Sequence, residues 1–126
     1  MKLDLVIKHY FEEEMDADEL QTALVNVRKN PEHEHYEFKD NDAVCYVGPE
    51  SLLRLCKDVL DKRIEAEYLN DIAKKLQDSD GFEWDEEPVT EVLYCCLEPE
   101  ENAPLNQDTT QQFVRWLTGE DDLPED

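Results

Sequence analysis

Apolar residues recur at helical spacing through most of this chain, and only three glycines interrupt them. Spacing of that kind gives each segment one apolar stripe, which is stable only when buried against another element. The clearest stripe is Leu52, Leu53, Cys56, Val59, Leu60 and Ile64, which predicts a helix starting at Glu50 or Ser51. A second helix runs from Glu65 to Leu76 with Tyr68, Leu69, Ile72 and Leu76 inward. Lys74 and Lys75 sit in its last turn, where cations suit the helix dipole. Pro88 fits the first turn of a third, which carries Val89, Val92, Leu93 and Cys96. Asp108 or Thr109 caps a final helix with Phe113, Trp116 and Leu117 inward, and Gly119 ends it.

The first half is less uniform. Leu3, Val6, Ile7, Tyr10 and Phe11 fit a helix, while Leu3, Leu5 and Ile7 also fit a strand. Helix is favoured because Glu12-Glu13-Glu14 continues it with good helix formers. Asp16 or Asp18 then caps a helix bearing Leu20, Ala23, Leu24 and Val27, which Asn30-Pro31 ends. Tyr36-Glu37-Phe38 and Val44-Cys45-Tyr46-Val47 flank Lys39-Asp40-Asn41-Asp42, which reads as a short hairpin closed by Gly48-Pro49. The fold class expected is mainly α: a compact bundle of about five or six short helices with a small β-hairpin inserted at 35–47. A chain of 126 residues fits one domain, taken as 1–119, followed by an acidic tail at 120–126.

Charge bears on function. The formal net charge is −22, and it is unevenly placed. Residues 1–75 carry 18 acidic and 11 basic side chains, whereas residues 76–126 carry 16 acidic ones and a single basic one, Arg115. A field this lopsided repels itself within a folded domain, and what it offers is steered association with something basic. Direct binding to nucleic acid or to anionic lipid is disfavoured by the same charge. Residues 1–11 do not read as a secretory leader, since Lys8 and His9 interrupt the apolar stretch, and a cytoplasmic location is expected. Cys45, Cys56, Cys95 and Cys96 are therefore expected as free, mostly buried thiols, with Cys56 and one of the adjacent pair on apolar helix faces.

The densest constellation runs from Asp78 to Glu101, with ten acids and no basic residue. Its candidate partner-binding residues are Asp78, Asp80, Glu83, Trp84, Asp85, Glu86, Glu87, Glu98, Glu100 and Glu101. Carboxylates around a tryptophan suit an interface, because the aromatic anchors while the acids steer and then pair with Lys or Arg. Any one of these acids taken singly reads as a solvated residue near a helix N-terminus.

Other chemistries find little support. Asp78-Ser79-Asp80-Gly81 departs from a calcium-binding EF-hand loop, with glycine at the fourth position instead of the sixth and Val89 where the bidentate glutamate belongs. His33 and His35, even with Cys45, lack the further ligands of a zinc site, and His9 reads as a helix-surface residue. There is no G-x-S-x-G elbow, no glycine-rich phosphate loop and no basic neighbour to activate a thiol. No metal, cofactor or catalytic residue is assigned, and the chain is read as a binding protein, not an enzyme.

Residues 48–117 carry a resemblance. Gly48-Pro49-Glu50-Ser51-Leu52-Leu53-Arg54-Leu55-Cys56 opens it, and Asp61-Lys62-Arg63-Ile64 leads into Tyr68-Leu69-Asn70-Asp71-Ile72-Ala73. An acidic connector from Asp78 to Glu87 follows, then Leu97-Glu98-Pro99-Glu100-Glu101-Asn102-Ala103-Pro104-Leu105 before the last helix. This resembles the small acidic immunity proteins encoded beside bacterial toxins of the colicin and contact-dependent growth inhibition kind. The resemblance implies a cytoplasmic toxin inhibitor whose partner is the toxin's C-terminal domain, often a basic nuclease. It carries over the role and no individual residue, since the Tyr-Tyr-Pro element of one DNase-immunity family is absent. Two other readings stand beside it: a nucleic-acid mimic that inhibits a host DNA- or RNA-binding protein, and a regulatory adaptor unconnected with toxins.

Overall fold

The N-terminal segment, whose spacing fits helix or strand, is helix α1 (Leu3–Phe11), with Leu3, Val6, Ile7 and Tyr10 buried along one side. The computed structural model describes residues 3–29, 44–79, 81–101 and 104–123. After α1 come α2 (Ala17–Lys29), β1 (Cys45–Tyr46), α3 (Pro49–Leu60), α4 (Tyr68–Asp78), β2 (Phe82–Glu83), α5 (Glu87–Leu97) and α6 (Gln107–Thr118). The architecture is a mainly helical bundle with, among the described residues, one small sheet.

Most helix starts follow local chemistry. Asp16 caps α2, its Oδ1 accepting the Glu19 amide at 3.0 Å. Helix α3 begins at Pro49, ahead of the expected Glu50 or Ser51, because proline lacks the amide hydrogen that a first turn leaves unused. Helix α4 starts at Tyr68, three residues after the expected Glu65, and backbone turns at 65–67 lead into it. The cap of α6 is Asn106, not Asp108 or Thr109; its Oδ1 accepts the Thr109 amide at 2.9 Å.

Three helix ends share one geometry. After α6, Gly119 has φ +81°, the Glu120 amide donates to the Arg115 carbonyl and the Gly119 amide to that of Trp116. The same pair of bonds closes α1, from Glu14 to His9 and from Glu13 to Tyr10, and closes α3, from Arg63 to Asp58 and from Lys62 to Val59. This is the Schellman arrangement, which needs a left-handed residue and favours glycine there. Glu13 (φ 63°) and Lys62 (φ 65°) adopt it without being glycine. The first tail residues turn back on α6, where the Asp121 carboxylate accepts from Gln112 at 3.0 Å.

The sheet is the main departure from expectation. Within segment 44–47 only Cys45–Tyr46 forms a strand; its partner is β2, and the pairing is parallel, with Cys45 opposite Phe82 and Tyr46 opposite Glu83. The Cys45 amide donates to the Gly81 carbonyl at 2.8 Å and the Val47 amide to that of Glu83 at 2.7 Å. The other arm of the expected hairpin, Tyr36–Phe38, lies outside the described residues, as do His33 and His35.

Helix α3 packs most extensively against α6, α1 against α2 and α4, and α5 against α4, α6 and α3. The core is aliphatic, with Tyr10, Phe82 and Phe113 as its buried rings beside Tyr68. Two arginines brace the helices, Arg54 from within and Arg28 at the surface. Arg54 on α3 donates to the carbonyls of Tyr10 and Met15, with its guanidinium carbon 4.2 Å from the Tyr10 ring centroid. The Tyr10 hydroxyl in turn donates to Asp58, and burial followed by that bond raises its pKa. Arg28 on α2 pairs with Asp71 at 2.7 Å and Glu67 at 3.2 Å and covers the Tyr68 ring.

Candidate partner-binding site

Helices α4 and α5 run in opposite directions. The Asn70 side-chain amide, early in α4, donates to the Cys96 carbonyl at the end of α5 at 2.8 Å. The end of α4, strand β2 and the start of α5 therefore lie together, and this places Asp78, Glu83, Trp84, Asp85, Glu86 and Glu87 in one region. Glu98, Glu100 and Glu101 follow the far end of α5, which at 11 residues is ~16 Å long. The expected site thus divides into two acidic groups. Asp80 lies outside the described residues.

The local sequence accounts for this arrangement. Glu86 occupies the cap position of α5 in an extended conformation, with Pro88 in the first turn. Asp85, Glu86 and Glu87 thus precede or open a helix whose N-terminal dipole favours negative charge. All three are exposed, as is Glu83 on β2. The inward neighbours Phe82, Val89, Val92 and Leu93 hold the segment to the core.

A shallow groove of about 460 Å³ opens here, lined by Tyr46, Phe82, Glu83, Trp84 and Asp85. Of these Phe82 is nearly fully buried, and Trp84 is half-buried, packed on the core while lining the groove. Tyr46, half exposed, comes from β1; its hydroxyl donates to Asp85 Oδ1 at 2.6 Å and to Glu86 Oε2 at 3.2 Å. The bond to Asp85, foremost, raises the Tyr46 pKa. Gly48 lies against this ring: a β-carbon there would stand 3.3 Å from Tyr46 Cε1. Among the described residues no lysine or arginine lines the groove. A second groove, about 360 Å³, contrasts with it by mixing Glu13, Glu50 and Asp58 with Arg54 and Lys57.

Sequence reasoning passed over Tyr46. Its signal was the alternation of Val44-Cys45-Tyr46-Val47, in which Cys45 and Val47 are buried while Val44 and Tyr46 face out. What joins Tyr46 to Asp85 is a contact across 39 positions that local patterning does not reveal.

None of the thiols lines the groove, although Cys45 adjoins Tyr46 on β1, and all are inert in kind. All four cysteines are free and buried, Cys95 as well as Cys96. Burial pushes Cys45 and Cys95 up to about 11 and Cys56 up to about 12, and raises Cys96 well above its ordinary value. A protonated thiol is a poor nucleophile and a poor metal ligand. Among the described residues one group has metal-ligating atoms close together: His9, Glu12 and Glu14, within 4.8 Å of one another at the end of α1. His9 Nδ1 lies 2.9 Å from Glu14 Oε2, so the turn at Glu13 accounts for the grouping. No described helix is long and apolar enough to cross a membrane.

Neither known protein families, nor curated proteins, nor solved structures give a significant match to this chain.

Proposed function

We propose that the chain is an acidic immunity protein: a cytoplasmic inhibitor that binds a basic, nuclease-like toxin domain and neutralises it by charge-complementary contact. The observation that carries the reading is the groove at the start of α5. There an aromatic anchor, Trp84, stands among Glu83, Asp85 and Glu86, with no basic side chain lining the groove among the described residues. A surface of this kind fits a nuclease's phosphate-binding face, where carboxylates take the place of nucleic-acid phosphates. Arg28 and Arg54 are engaged elsewhere, with Glu67 and Asp71 and with the Tyr10 and Met15 carbonyls.

The test starts from the gene's neighbourhood, where the reading expects a frame that ends in a basic, nuclease-like domain, and continues by co-expressing that domain with this chain; a neighbourhood without such a frame counts against the reading. Protection of the host cell is expected. A variant with Asp80→Asn, Glu83→Gln, Asp85→Asn, Glu86→Gln and Glu87→Gln should fold and fail to protect. Association of the purified pair should slow steeply as salt shortens the Debye length below ~10 Å, while dissociation changes little. Full protection by the neutralised variant, or association indifferent to salt, would remove this surface from the function.

A further inference from the structure

We infer that the Tyr46–Trp84 groove is an arginine-selective pocket, which takes one guanidinium from a basic partner segment. The inference rests on the proposed binding of a basic protein at this surface and specifies the chemistry of the contact. Charge alone would attract lysine and arginine equally. The walls of the groove distinguish them. Tyr46, Phe82 and Trp84 give it an aromatic lining, with Tyr46 half exposed and Trp84 half-buried. A planar, weakly hydrated guanidinium stacks on such surface, whereas a compact ammonium holds its water.

The acceptors are arranged for a planar donor as well. The Tyr46 hydroxyl ties Asp85 through Oδ1 and Glu86 through Oε2. The single hydroxyl proton holds Asp85 Oδ1 and is shared more weakly with Glu86 Oε2, and the second oxygen of each exposed carboxylate can accept an N–H from a guanidinium fork. Glu83, opposite Tyr46 in the sheet register, supplies a third carboxylate on the same face. Tyr46 is thus a positioning residue for two acids and a wall of the pocket. Gly48 contributes by its lack of a side chain, since a β-carbon would press on the ring at 3.3 Å.

The experiment compares acetylated hexa-arginine with acetylated hexa-lysine, titrated into the full chain at one ionic strength and followed by amide chemical shifts. Hexa-arginine should bind about tenfold more tightly, the scale of a stacking contact on a partly desolvated ring. Shifts should centre on Tyr46 and 82–87. Tyr46→Ala, an exposed site whose loss leaves the core intact, should reduce the two affinities to near equality. A Glu12→Gln, Glu13→Gln, Glu14→Gln variant should weaken both peptides alike and keep their ratio. Equal affinities in the wild type, or a preference that survives Tyr46→Ala, would overturn the inference. The peptides need no toxin, so the outcomes separate. Selectivity without toxin neutralisation sinks the proposed function alone, and neutralisation without selectivity sinks the pocket alone.

Discussion

Replacing Glu13 and Lys62 by glycine should stabilise the protein, although glycine ordinarily weakens a fold. Both residues close a helix in the left-handed conformation, at φ 63° and 65°. For a residue with a β-carbon that conformation costs roughly 1–2 kcal/mol, because the β-carbon crowds a carbonyl oxygen. Glycine removes that cost and brings a larger entropy loss on folding, so each substitution should gain about 0.5–1 kcal/mol. The sites close different helices, α1 and α3, and their effects should add to about 1–2 kcal/mol. In a domain of this size that corresponds to a melting temperature higher by roughly 4–8 °C. Charge provides an internal control. Glu13→Gly removes a repelling acid and Lys62→Gly removes a cation from an acidic protein, so the mean of the two isolates the backbone contribution. Urea unfolding followed by circular dichroism gives the free energies, and an unchanged m-value shows that the unfolded state is not altered. Gly119→Ala, at φ 81°, should lose about 1 kcal/mol although nothing lies within 4 Å of its new β-carbon. Destabilisation by both glycines would refute the reasoning.

Arg54→Met should lower stability by about 2–4 kcal/mol, because it strips two carbonyls of a charged donor and uncovers the Tyr10 ring. A melting temperature within about 2 °C of the wild type, roughly half a kcal/mol, would show that water replaces the guanidinium fully. The thiols predict an alkaline limb. With folded pKa values raised to about 11 for Cys45 and Cys95 and about 12 for Cys56, above an unfolded value of 9.0, their stabilisation is complete below pH 9 and is lost as pH rises through the folded values. Denaturant titrations at a series of pH values should show a plateau and then this decline. Alkylation at neutral pH should modify the cysteines only after unfolding, and rapid labelling of the native protein would contradict their burial.

Helices were legible wherever a stripe and a terminator agreed. The Leu52–Val59 stripe, Pro88 before Val89, and Gly119 after Leu117 each combine a period of 3.6 with a residue suited to that helix end. The ends of α1 and α3 were obscure for a physical reason: Glu13 and Lys62 fill positions where glycine would have been the signal. The cap of α6 was misplaced because Asn106, Asp108 and Thr109 are all capable caps, and only the Asn106–Thr109 bond selects among them. The acids and tryptophan of the candidate site could be read from composition, but their division could not. Glu98 to Glu101 adjoin Glu87 in sequence through a rigid helix, and that helix keeps them apart. Pairing of β1 with β2 depends on how α3 and α4 pack, which no local window contains.

That pairing gives the groove its timing. Its two walls are joined through α3 and α4, and closing so long a loop is an entropic cost met late in folding, after local helices have formed. A nascent chain or a partly unfolded one can display every carboxylate of 82–87 and still lack the opposing wall. The assembled groove exists only while strand 45–46 is docked, so its opening rate is bounded by the excursions of the native state. An occupant that holds both walls acts as a clasp across the sequence and slows those excursions in proportion to its occupancy. Amide exchange at Val47, whose hydrogen bond reaches Glu83, therefore reports the state of the clasp residue by residue.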